Sequence, residues 1–312
     1  EVLAQAFATA KRLKEEAPAG HARLMGIQME GPFFSEKKKG AQNGAYLRNP
    51  DFEAFRKLEE ACGGLIRIVD LAPELPGSVE FIQKARQWCT VSVAHTDADY
   101  DEAKAAFDAG ATHVTHLYNA MPGIHHRKPG VIPAAAENES VRAELICDGL
   151  HVHPASVRLA FRIFGPERMV LISDALRCCG MPDGEYELGG QQVFLSGGVA
   201  RLADGTIAGS ATDLFTCMTK AISFGIAPED AVRAASWNPA CALGVQNEVG
   251  SIAPGKWADF VVCNPDFSTI EDSSYVWSRC CLYWRSACVG IRGEGSALCL
   301  QAVRRSFLCS AG

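Results

Sequence analysis

The sequence predicts an α/β fold in which parallel β-strands alternate with α-helices. Three observations support this prediction. Short apolar runs recur as far as residue 173, amphipathic helical stretches separate most of them, and the pattern then changes to one typical of antiparallel strands. Short buried strands that alternate with helices are typical of parallel βα units, whose strands are covered on both faces.

Six apolar runs have the length and composition of buried strands, at 24–29, 65–69, 91–94, 113–117, 143–147 and 169–173. Helical periodicity fills most of the intervals, at 51–61, 77–88, 99–109 and 154–164. The third of these helices has acidic residues in its first turn and Gly110 at its C-terminal end, as helix boundaries usually do. Six consecutive units favour a (β/α) barrel over an open sheet, while the pattern leaves closure of the barrel open.

The segment after the sixth run, "GEYELGGQQVFLSGGVARLADGTIAGS", alternates polar and apolar residues around Gly-Gly and Asp-Gly pairs. This pattern predicts a β-meander, inserted near 185–209. Helical runs follow at 212–224 and 228–236, and two short strands are expected around a turn at Pro254-Gly255.

Composition narrows the functional class. The chain has 312 residues, 48% of them hydrophobic and 21% charged, which is enough to bury the core of one large domain. A net charge of −6 and a pI near 5.8 argue against nucleic-acid binding, which needs a clustered basic surface. There is neither an apolar stretch of 18 residues nor a secretory leader, so no membrane span is expected and the cytoplasm is the predicted compartment. The 13 cysteines do not suit the disulfide framework of a short secreted chain, and we expect them to be reduced.

Both ends of the chain are unusual. It begins at Glu1, in a helix-like run, and we expect an upstream segment to be missing. After Phe267 the composition shifts to a segment rich in Cys, Ser and Arg, without clear strand or helix periodicity. We interpret 268–312 as an anomalous tail, either frameshifted or disordered, and assign it no function.

Polar residues stand where most of the predicted strands end. They are Glu30 at the end of the first strand, His95 at the end of the third, His116 at the end of the fourth, Asp148 and His151 after the fifth, and Asp174 at the end of the sixth. The carboxyl ends of all strands in a parallel barrel lie on one face, which is where active sites form. We therefore expect these side chains to converge on one rim.

Four of these residues together indicate a hydrolytic metal site. The two imidazoles and the carboxylate of Glu30 suit a borderline divalent ion such as zinc, with one position left for water. Such an ion lowers the pKa of a bound water from about 15.7 to roughly 7. A nearby carboxylate can take the proton of the water and later deliver it to a leaving group, and Asp174 is the candidate for that role.

Each residue also has an ordinary structural explanation. A single Glu after a strand is usually a solvated loop residue, and a single His on a strand is usually a hydrogen-bonded core residue. We interpret His113, at the start of its strand, in that second way. The structural explanation weakens only when four such residues share one face, so we interpret Glu30, His95, His116 and Asp174 as a site.

A second cluster indicates an anionic substrate. In "THLYNAMPGIHHRKPG", Asn119 and Ala120 follow a strand end, and a loop with Arg127 and Lys128 comes next. A guanidinium and an amide near a metal suit a phosphate, which arginine can bind through two hydrogen bonds. The alternative explanation is a basic surface loop.

Five segments carry a resemblance to a known family: "MEGPFFSEKKKGAQN", "VAHTDADYDEAKAAFDAGATHVTHLYNAM", "DGLHV", "LISDAL" and "DGTIAGSA". In this order and spacing they resemble the N-acetylglucosamine-6-phosphate deacetylase family of the amidohydrolase superfamily, from the start of the chain to about Phe267. The resemblance implies a (β/α)8 TIM-type amidohydrolase barrel, N-terminally incomplete, with part of a small β-sandwich domain. We expect the barrel at 1–245 and the small domain at 246–267.

The resemblance also implies roles for individual residues. Glu30, His95 and His116 would be the metal ligands and Asp174 the catalytic acid–base. The sugar phosphate would be contacted by Ala41, Gln42, Asn119, Ala120, Arg127, Asp148, Gly149, Leu150, His151, Ile207, Ala208 and Gly209. In this family the phosphate-binding Arg and His can come from a neighbouring subunit, which implies a homodimer. The implied reaction is deacetylation of N-acetylglucosamine 6-phosphate in amino-sugar catabolism, with Zn²⁺ expected and Fe²⁺, Co²⁺ or Mn²⁺ as alternatives.

The sequence departs from the family pattern at two functional positions. Gln42 stands where some members have a His that helps to polarise the carbonyl group, and its amide could still donate a hydrogen bond. Some members carry two further His ligands on a first barrel strand, which would precede residue 1, so the sequence is compatible with one or two metal ions. Two alternatives stay open: an incomplete, catalytically inactive fragment, and another amidohydrolase acting on a different amide. The loop with Arg127 argues against the second.

Overall fold

The computed structural model of the protein describes residues 2–16, 22–259, 261–268, 270–272, 275–279 and 298–300. The α-helices are α1 (Val2–Glu16), α2 (Phe52–Ala61), α3 (Ser78–Ala85), α4 (Tyr100–Ala109), α5 (Val131–Glu137), α6 (Pro154–Phe164), α7 (Leu214–Ser223), α8 (Pro228–Ala235) and α9 (Trp237–Ala242). Two 3₁₀ helices lie at Glu36–Lys38 and Gly44–Tyr46. Of the helices in the described part of the chain, none combines the length and the apolar character needed to cross a bilayer.

The main sheet has six parallel strands, whose order in space follows their order in the chain. They are β1 (Ile27–Phe33), β2 (Ile66–Leu71), β3 (Thr90–Val93), β4 (His113–Val114), β5 (Arg142–Ile146) and β6 (Met169–Ile172). All six predicted strands and the four helices predicted between them are thereby confirmed, to within a few residues at their ends. The sequence pattern did not predict α5 or α9. Closure of the sheet into an eight-stranded barrel stays a prediction.

The two faces of the sheet differ in polarity. Residues such as Met29, Val69 and Leu145 pack in one large apolar cluster with the covering helices. The other face carries buried polar residues, including Gln28, Asp70, Ser92 and Thr115, below the carboxyl ends of the strands. Because neighbouring side chains on a strand point to opposite faces, one short run supplies both the core and the polar layer.

The predicted meander is confirmed as a four-stranded antiparallel sheet. Its strands are β7 (Gly184–Leu188), β8 (Gln191–Ser196), β9 (Val199–Leu202) and β10 (Ile207–Ser210). The amide of Gln191 donates to the carbonyl oxygen of Ala41 at 2.5 Å, so the meander contacts the loop after β1. Ala175 and Ser210 form a parallel β-bridge, which joins the meander to the chain after β6.

Short strands follow the helical region: β11 (Trp257–Asp259), β12 (Val261–Cys263), β13 (Ile270–Asp272), β14 (Tyr275–Arg279) and β15 (Leu298–Leu300). β11 pairs with β14, and β12 pairs with β13 and β15. The strands predicted around Pro254-Gly255 were partly wrong, since β11 and β12 both come after that turn. Most of the predicted tail, 280–297 and 301–312, lies outside the described residues, and the small β-sandwich and the domain limits stay predictions.

Candidate active site

Three of the predicted site residues occupy equivalent positions in the fold. His95, His116 and Asp174 each follow a strand of the main sheet by two residues, after β3, β4 and β6. Each has a positive φ, of 45°, 35° and 50° respectively. This conformation costs of order 1–3 kcal/mol for a residue other than glycine, and such strain is concentrated at functional sites. The backbone conformation that these three residues share is therefore typical of a functional site rather than of core packing.

Glu30 reaches the rim differently from its prediction. The first strand does not end at Glu30 but continues to Phe33 through a cis Gly31-Pro32 peptide. The pairing of β1 with β2 shifts register between Met29 and Phe33, so Glu30 lies in an irregular stretch inside the strand. The strand predicted at 24–29 therefore ends four residues later than expected, because Phe33 of β1 still pairs with Leu71 of β2.

Glu30, His95 and His116 meet through single ligand atoms. Nε2 of His95 lies 3.2 Å from Oε1 of Glu30, Nε2 of His116 lies 3.1 Å from the same oxygen, and the two nitrogens are 3.0 Å apart. Two ligands about 2.0–2.1 Å from a tetrahedral zinc ion are about 3.3 Å apart, so the three atoms have the spacing of zinc ligands. Two imidazole nitrogens this close repel each other unless a cation or a proton lies between them. These residues therefore fit a divalent metal ion.

The ring of His95 is held with Nε2 directed at this point. Its Nδ1 lies 2.9 Å from the carbonyl oxygen of Lys38, which fixes the proton on Nδ1 and leaves Nε2 as the ligand atom. The ring of Phe34 stacks on it with centroids 4.3 Å apart. Such contacts keep a ligand in its binding orientation before the metal arrives.

Electrostatics favour positive charge at the same point. Burial would raise the pKa of Glu30, but its close contacts with His116 and His95 lower it well below its usual range. Burial would lower the pKa of His116, but the hydrogen bond and charge of Glu30 raise it to about 9, with smaller contributions from Asp174 and Asp70. The group is thus stabilised by a cation among its three ligand atoms, in the form of a proton or of a metal ion.

The ligand atoms open into a cavity of about 800 Å³, which is large enough for a small-molecule substrate. Asp174 lines the same cavity. Eight of the residues predicted to contact substrate also line it: Ala41, Gln42, Asn119, Ala120, His151, Ile207, Ala208 and Gly209. The structure thus brings together most of the predicted site.

The meander supplies one wall of this cavity. The amide of Ser210 donates to the carbonyl oxygen of Asp174 at 2.9 Å, and that of Leu176 donates to Ser210 at 2.8 Å. Gly209, with φ of 145°, lies in this close approach, where a Cβ would come within 2.9 Å of the Leu176 side chain. A side chain at position 209 would therefore push the meander away from the segment that carries Asp174.

Asp148 contributes through its neighbour rather than directly. Its carboxylate accepts from the backbone amides of Leu150 and His151, at 2.8 and 2.9 Å, and lies 2.7 Å from Nδ1 of His151. Burial would raise the pKa of Asp148, but these hydrogen bonds lower it to about 2. The contact leaves Nε2 of His151 as the nitrogen available to a ligand in the cavity.

Four predicted contact residues do not line the cavity: Arg127, Asp148, Gly149 and Leu150. Arg127 is exposed on a loop closed by a β-bridge between His125 and Lys128. Within its own chain, the guanidinium therefore has no place in this cavity.

The sequence analysis missed several lining residues. Three are cationic, Lys37, Lys38 and Arg177, and Tyr186, Glu187 and Leu188 come from β7. The charged run after Glu30 was a visible signal for the two lysines. No local signal identifies the β7 residues, because their position depends on how the meander folds back.

Comparison with known proteins gives consistent results. A model of the amidohydrolase family matches residues 4–278. The chain is 41% identical over 272 residues to the N-acetylglucosamine-6-phosphate deacetylase of Bacillus subtilis (strain 168), covering 86% of this chain and 69% of the relative. It is 38% identical over 263 residues to the N-acetylgalactosamine-6-phosphate deacetylase of Escherichia coli O157:H7, covering 83% and 70% of the two chains.

Solved structures agree. A mutant of the N-acetyl-D-glucosamine-6-phosphate deacetylase from Mycobacterium smegmatis, in complex with N-acetyl-D-glucosamine 6-phosphate, superposes with a TM-score of 0.80. That similarity has 36% sequence identity and covers 88% of this chain and 72% of the solved one.

Proposed function

This chain belongs to the amidohydrolase family, and from that premise we propose that it hydrolyses the acetamide bond of N-acetylglucosamine 6-phosphate, giving glucosamine 6-phosphate and acetate. The observation that carries the proposal is the convergence of Glu30, His95 and His116, with ligand atoms 3.0–3.2 Å apart, in the cavity that Asp174 also lines. The names of the relatives support the choice of substrate.

Glu30, His95 and His116 would hold one divalent ion, for which we propose Zn²⁺, with Fe²⁺, Co²⁺ or Mn²⁺ as ions that the same ligands accept. When bound, such an ion supplies Lewis-acid activation of water and of the amide carbonyl. Asp174 would take the proton of the attacking water through its carboxylate and deliver it to the amide nitrogen. The second transfer is needed because an amine anion is a very poor leaving group.

Residues around the cavity would bind the sugar phosphate. We propose contacts from Ala41, Gln42, Asn119, Ala120 and His151, and from the backbone of Ile207–Gly209, all of which line the cavity. The fixed Nε2 of His151 supports its role, since a preorganised donor or acceptor loses little entropy on binding. Gln42 would donate its amide N–H to the substrate carbonyl oxygen.

Arg127 would serve the cavity of a second subunit, so we propose a homodimer. Its exposed loop and its absence from the lining of its own chain's cavity support that arrangement. Mixing inactive Arg127→Ala chains with inactive Asp174→Asn chains should then restore activity, because one site of a mixed dimer has both residues intact. Failure to restore activity in demonstrably mixed dimers would contradict the exchange.

We further infer that the six parallel strands belong to a closed (β/α)8 barrel and that 246–267 belong to a small β-sandwich domain. The order of the strands, which follows the chain, supports the first inference. The pairing of β11 and β12 in small antiparallel sheets supports the second.

Acetate release tests the function. The zinc-loaded chain is given N-acetylglucosamine 6-phosphate, its C4 epimer N-acetylgalactosamine 6-phosphate, and unphosphorylated N-acetylglucosamine. The expected result is release from the first, little from the unphosphorylated sugar, and a lower kcat/KM for the epimer. No release from any of them by soluble, metal-loaded protein overturns the proposal, and faster turnover of the epimer reassigns the substrate.

A further inference from the structure

A second layer of buried polar side chains lies below the ligand rim, on the same face of the sheet. This polar layer consists of Gln28, Asp70, Ser92 and Thr115, which come from β1, β2, β3 and the end of β4. All four are buried, and Asp70 has no exposed surface at all. Three of these strands, β1, β3 and β4, lead to the proposed metal ligands, and β2 lies between β1 and β3.

The four side chains form one hydrogen-bonded chain. The amide nitrogen of Gln28 donates to Oδ2 of Asp70 at 2.9 Å, with Oδ1 at 3.2 Å, and lies 3.2 Å from Oγ1 of Thr115. The hydroxyl groups of Thr115 and Ser92 are 2.8 Å apart. Gln28 thus connects two strands that are not neighbours, because β1 and β4 are separated by β2 and β3.

Burying a carboxylate in a protein interior is energetically unfavourable. Desolvation costs several kcal/mol for an ionised group, and apolar residues of similar volume are often at least as stabilising. The same face of the sheet shows that alternative, since Ile146, Val170 and Ile172 form a buried apolar cluster on β5 and β6. The chain therefore uses a charge where hydrophobic packing would serve stability, which points to a role other than stability.

The layer is connected to the metal ligands by short stretches of backbone. Gln28 precedes Glu30 by only two residues on β1. Thr115 directly precedes His116. A hydrogen bond between Gln28 and Thr115 therefore fixes the separation of the two strands that deliver Glu30 and His116 to each other.

We propose that Asp70 is a positioning residue of the metal centre, which acts through Gln28 and Thr115 on the strands that carry the ligands. By accepting from Gln28 with both carboxylate oxygens, Asp70 holds the amide with its nitrogen directed at Thr115. If this orientation is lost, the amide can rotate so that its oxygen faces Thr115. The positions of the ligand atoms relative to each other are then less well fixed. Ligand geometry that is off by a fraction of an ångström is enough to weaken metal binding.

The charge of Asp70 acts in the same direction. Its carboxylate is buried on the same face of the sheet as the ligand rim, and a divalent ion bound at the rim would be attracted to it. Thr115→Val separates positioning from charge, because it removes a hydrogen-bond partner of Gln28 and leaves the charge of Asp70 in place.

The test measures metal affinity and metal-free stability, without relying on turnover. Zn²⁺ affinity is determined by competition with a chromophoric chelator for wild type and Asp70→Asn, and the unfolding of the metal-free proteins is followed in parallel. Outer partners of metal ligands typically contribute 10–100-fold in affinity, and we expect about tenfold weaker binding in Asp70→Asn. The double variant Gln28→Glu with Asp70→Asn reverses the direction of the hydrogen bond, and we expect it to recover most of the lost affinity.

Glu59→Gln is the matched control. Glu59 is also a buried carboxylate beside β2, but it accepts from the backbone amide of Ile66, away from the ligand rim. We expect Glu59→Gln to lower metal-free stability without changing Zn²⁺ affinity. If Asp70→Asn does not fold, Thr115→Val replaces it, since it removes the acceptor of Gln28 while keeping the shape, and weaker Zn²⁺ binding is again expected.

Two results overturn the inference: unchanged affinity in Asp70→Asn, or an equal loss of affinity in Glu59→Gln. The inference rests on the metal site of the proposed function, and the wild type separates the two. A wild type that binds no Zn²⁺ overturns the proposed function and the inference together. A wild type that binds Zn²⁺ and releases acetate, beside an Asp70→Asn variant of equal affinity, overturns the inference alone.

Discussion

Buried histidine and glutamate side chains meet at two places in the described part of the main sheet, and the two places differ in whether they could hold a metal ion. At the rim, Nε2 of His116 is 3.1 Å from Oε1 of Glu30. Three residues earlier in the chain, Nε2 of His113 is 3.2 Å from Oε1 of Glu144. The residue types, distances and burial of the two pairs are nearly the same.

The difference lies in what surrounds each pair. His116 also meets a second imidazole, that of His95, and faces the cavity, whereas His113 lies within β4 beside β5 and does not line the cavity. The interpretation of His113 as a core residue agrees with this position. A His–Glu contact distance alone therefore does not identify a metal site, whereas a third converging ligand and an opening to substrate do.

Making the same substitution in both pairs tests the difference between them most directly. His116→Gln removes one of three ligands, so Zn²⁺ affinity should fall by more than the roughly 100-fold that outer partners can contribute, and turnover should be lost with it. His113→Gln should leave affinity within about threefold of wild type and lower the free energy of unfolding by about 1–3 kcal/mol, the cost of disturbing the buried polar contact with Glu144. Chelator competition and denaturant unfolding measure the two effects.

A His113→Gln variant that loses its metal would show that the two pairs act as one unit. A His116→Gln variant that retains full Zn²⁺ affinity would show that Glu30, His95 and His116 do not form the metal centre.

The next largest effect separates metal binding from proton transfer within the rim. Asp174→Asn keeps the size of the side chain but removes its ability to accept and deliver a proton. We expect kcat to fall by roughly 10²–10⁴-fold, the usual contribution of a general acid–base group, with Zn²⁺ affinity nearly unchanged. Single-turnover acetate release together with metal content measures both quantities. Retained turnover in Asp174→Asn would contradict the assigned role.

The smallest effect concerns pH in the metal-free protein. The pKa of His116 is raised from 6.5 to about 9, so its protonation stabilises the folded state fully below pH 6.5, and this contribution is lost as the pH rises through about 9. Glu30, whose pKa is lowered, contributes fully above its ordinary value of 4.5, and its contribution is lost only as the pH falls below that value. Between pH 6.5 and 9 we therefore expect a loss of about 3 kcal/mol at most.

Thermal unfolding across this pH range measures the loss. Saturating Zn²⁺ should reduce the dependence, because the ion takes the place of the proton, and His116→Gln should abolish it. An undiminished dependence in His116→Gln would assign the titration to another group.

Much of the fold was predictable because its elements are locally determined. The helix over Tyr100–Ala109 has a capping box between Asp99 and Glu102 and ends at Gly110 with φ of 117°, all visible in the sequence. The convergence of His95, His116 and Asp174 followed from a single property of parallel sheets, that strands end on one face. By contrast, α5 and α9 are 7 and 6 residues long, too short for a periodic pattern to stand out.

The remainder depended on contacts between distant segments. The shift in register of β1 between Met29 and Phe33 depends on how that strand pairs with β2, which no short window of sequence reveals. Arg127 was predicted to contact the substrate, but it does not line the cavity of its own chain. Tyr186 lines the cavity from β7 of the meander, and this position depends on the tertiary arrangement of the meander and the main sheet.

The positive φ angles of His95, His116 and Asp174 bear on which chemistries this scaffold can acquire. Among residues other than glycine, the left-handed region is populated mainly by Asn, Asp and His, while β-branched residues are nearly excluded. The three positions are thus open to substitutions among imidazole, carboxylate and amide groups and largely closed to Val, Ile and Thr. Backbone conformation therefore limits which substitutions these positions tolerate. New activities on this fold should arise by exchanges among Asn, Asp and His at these positions.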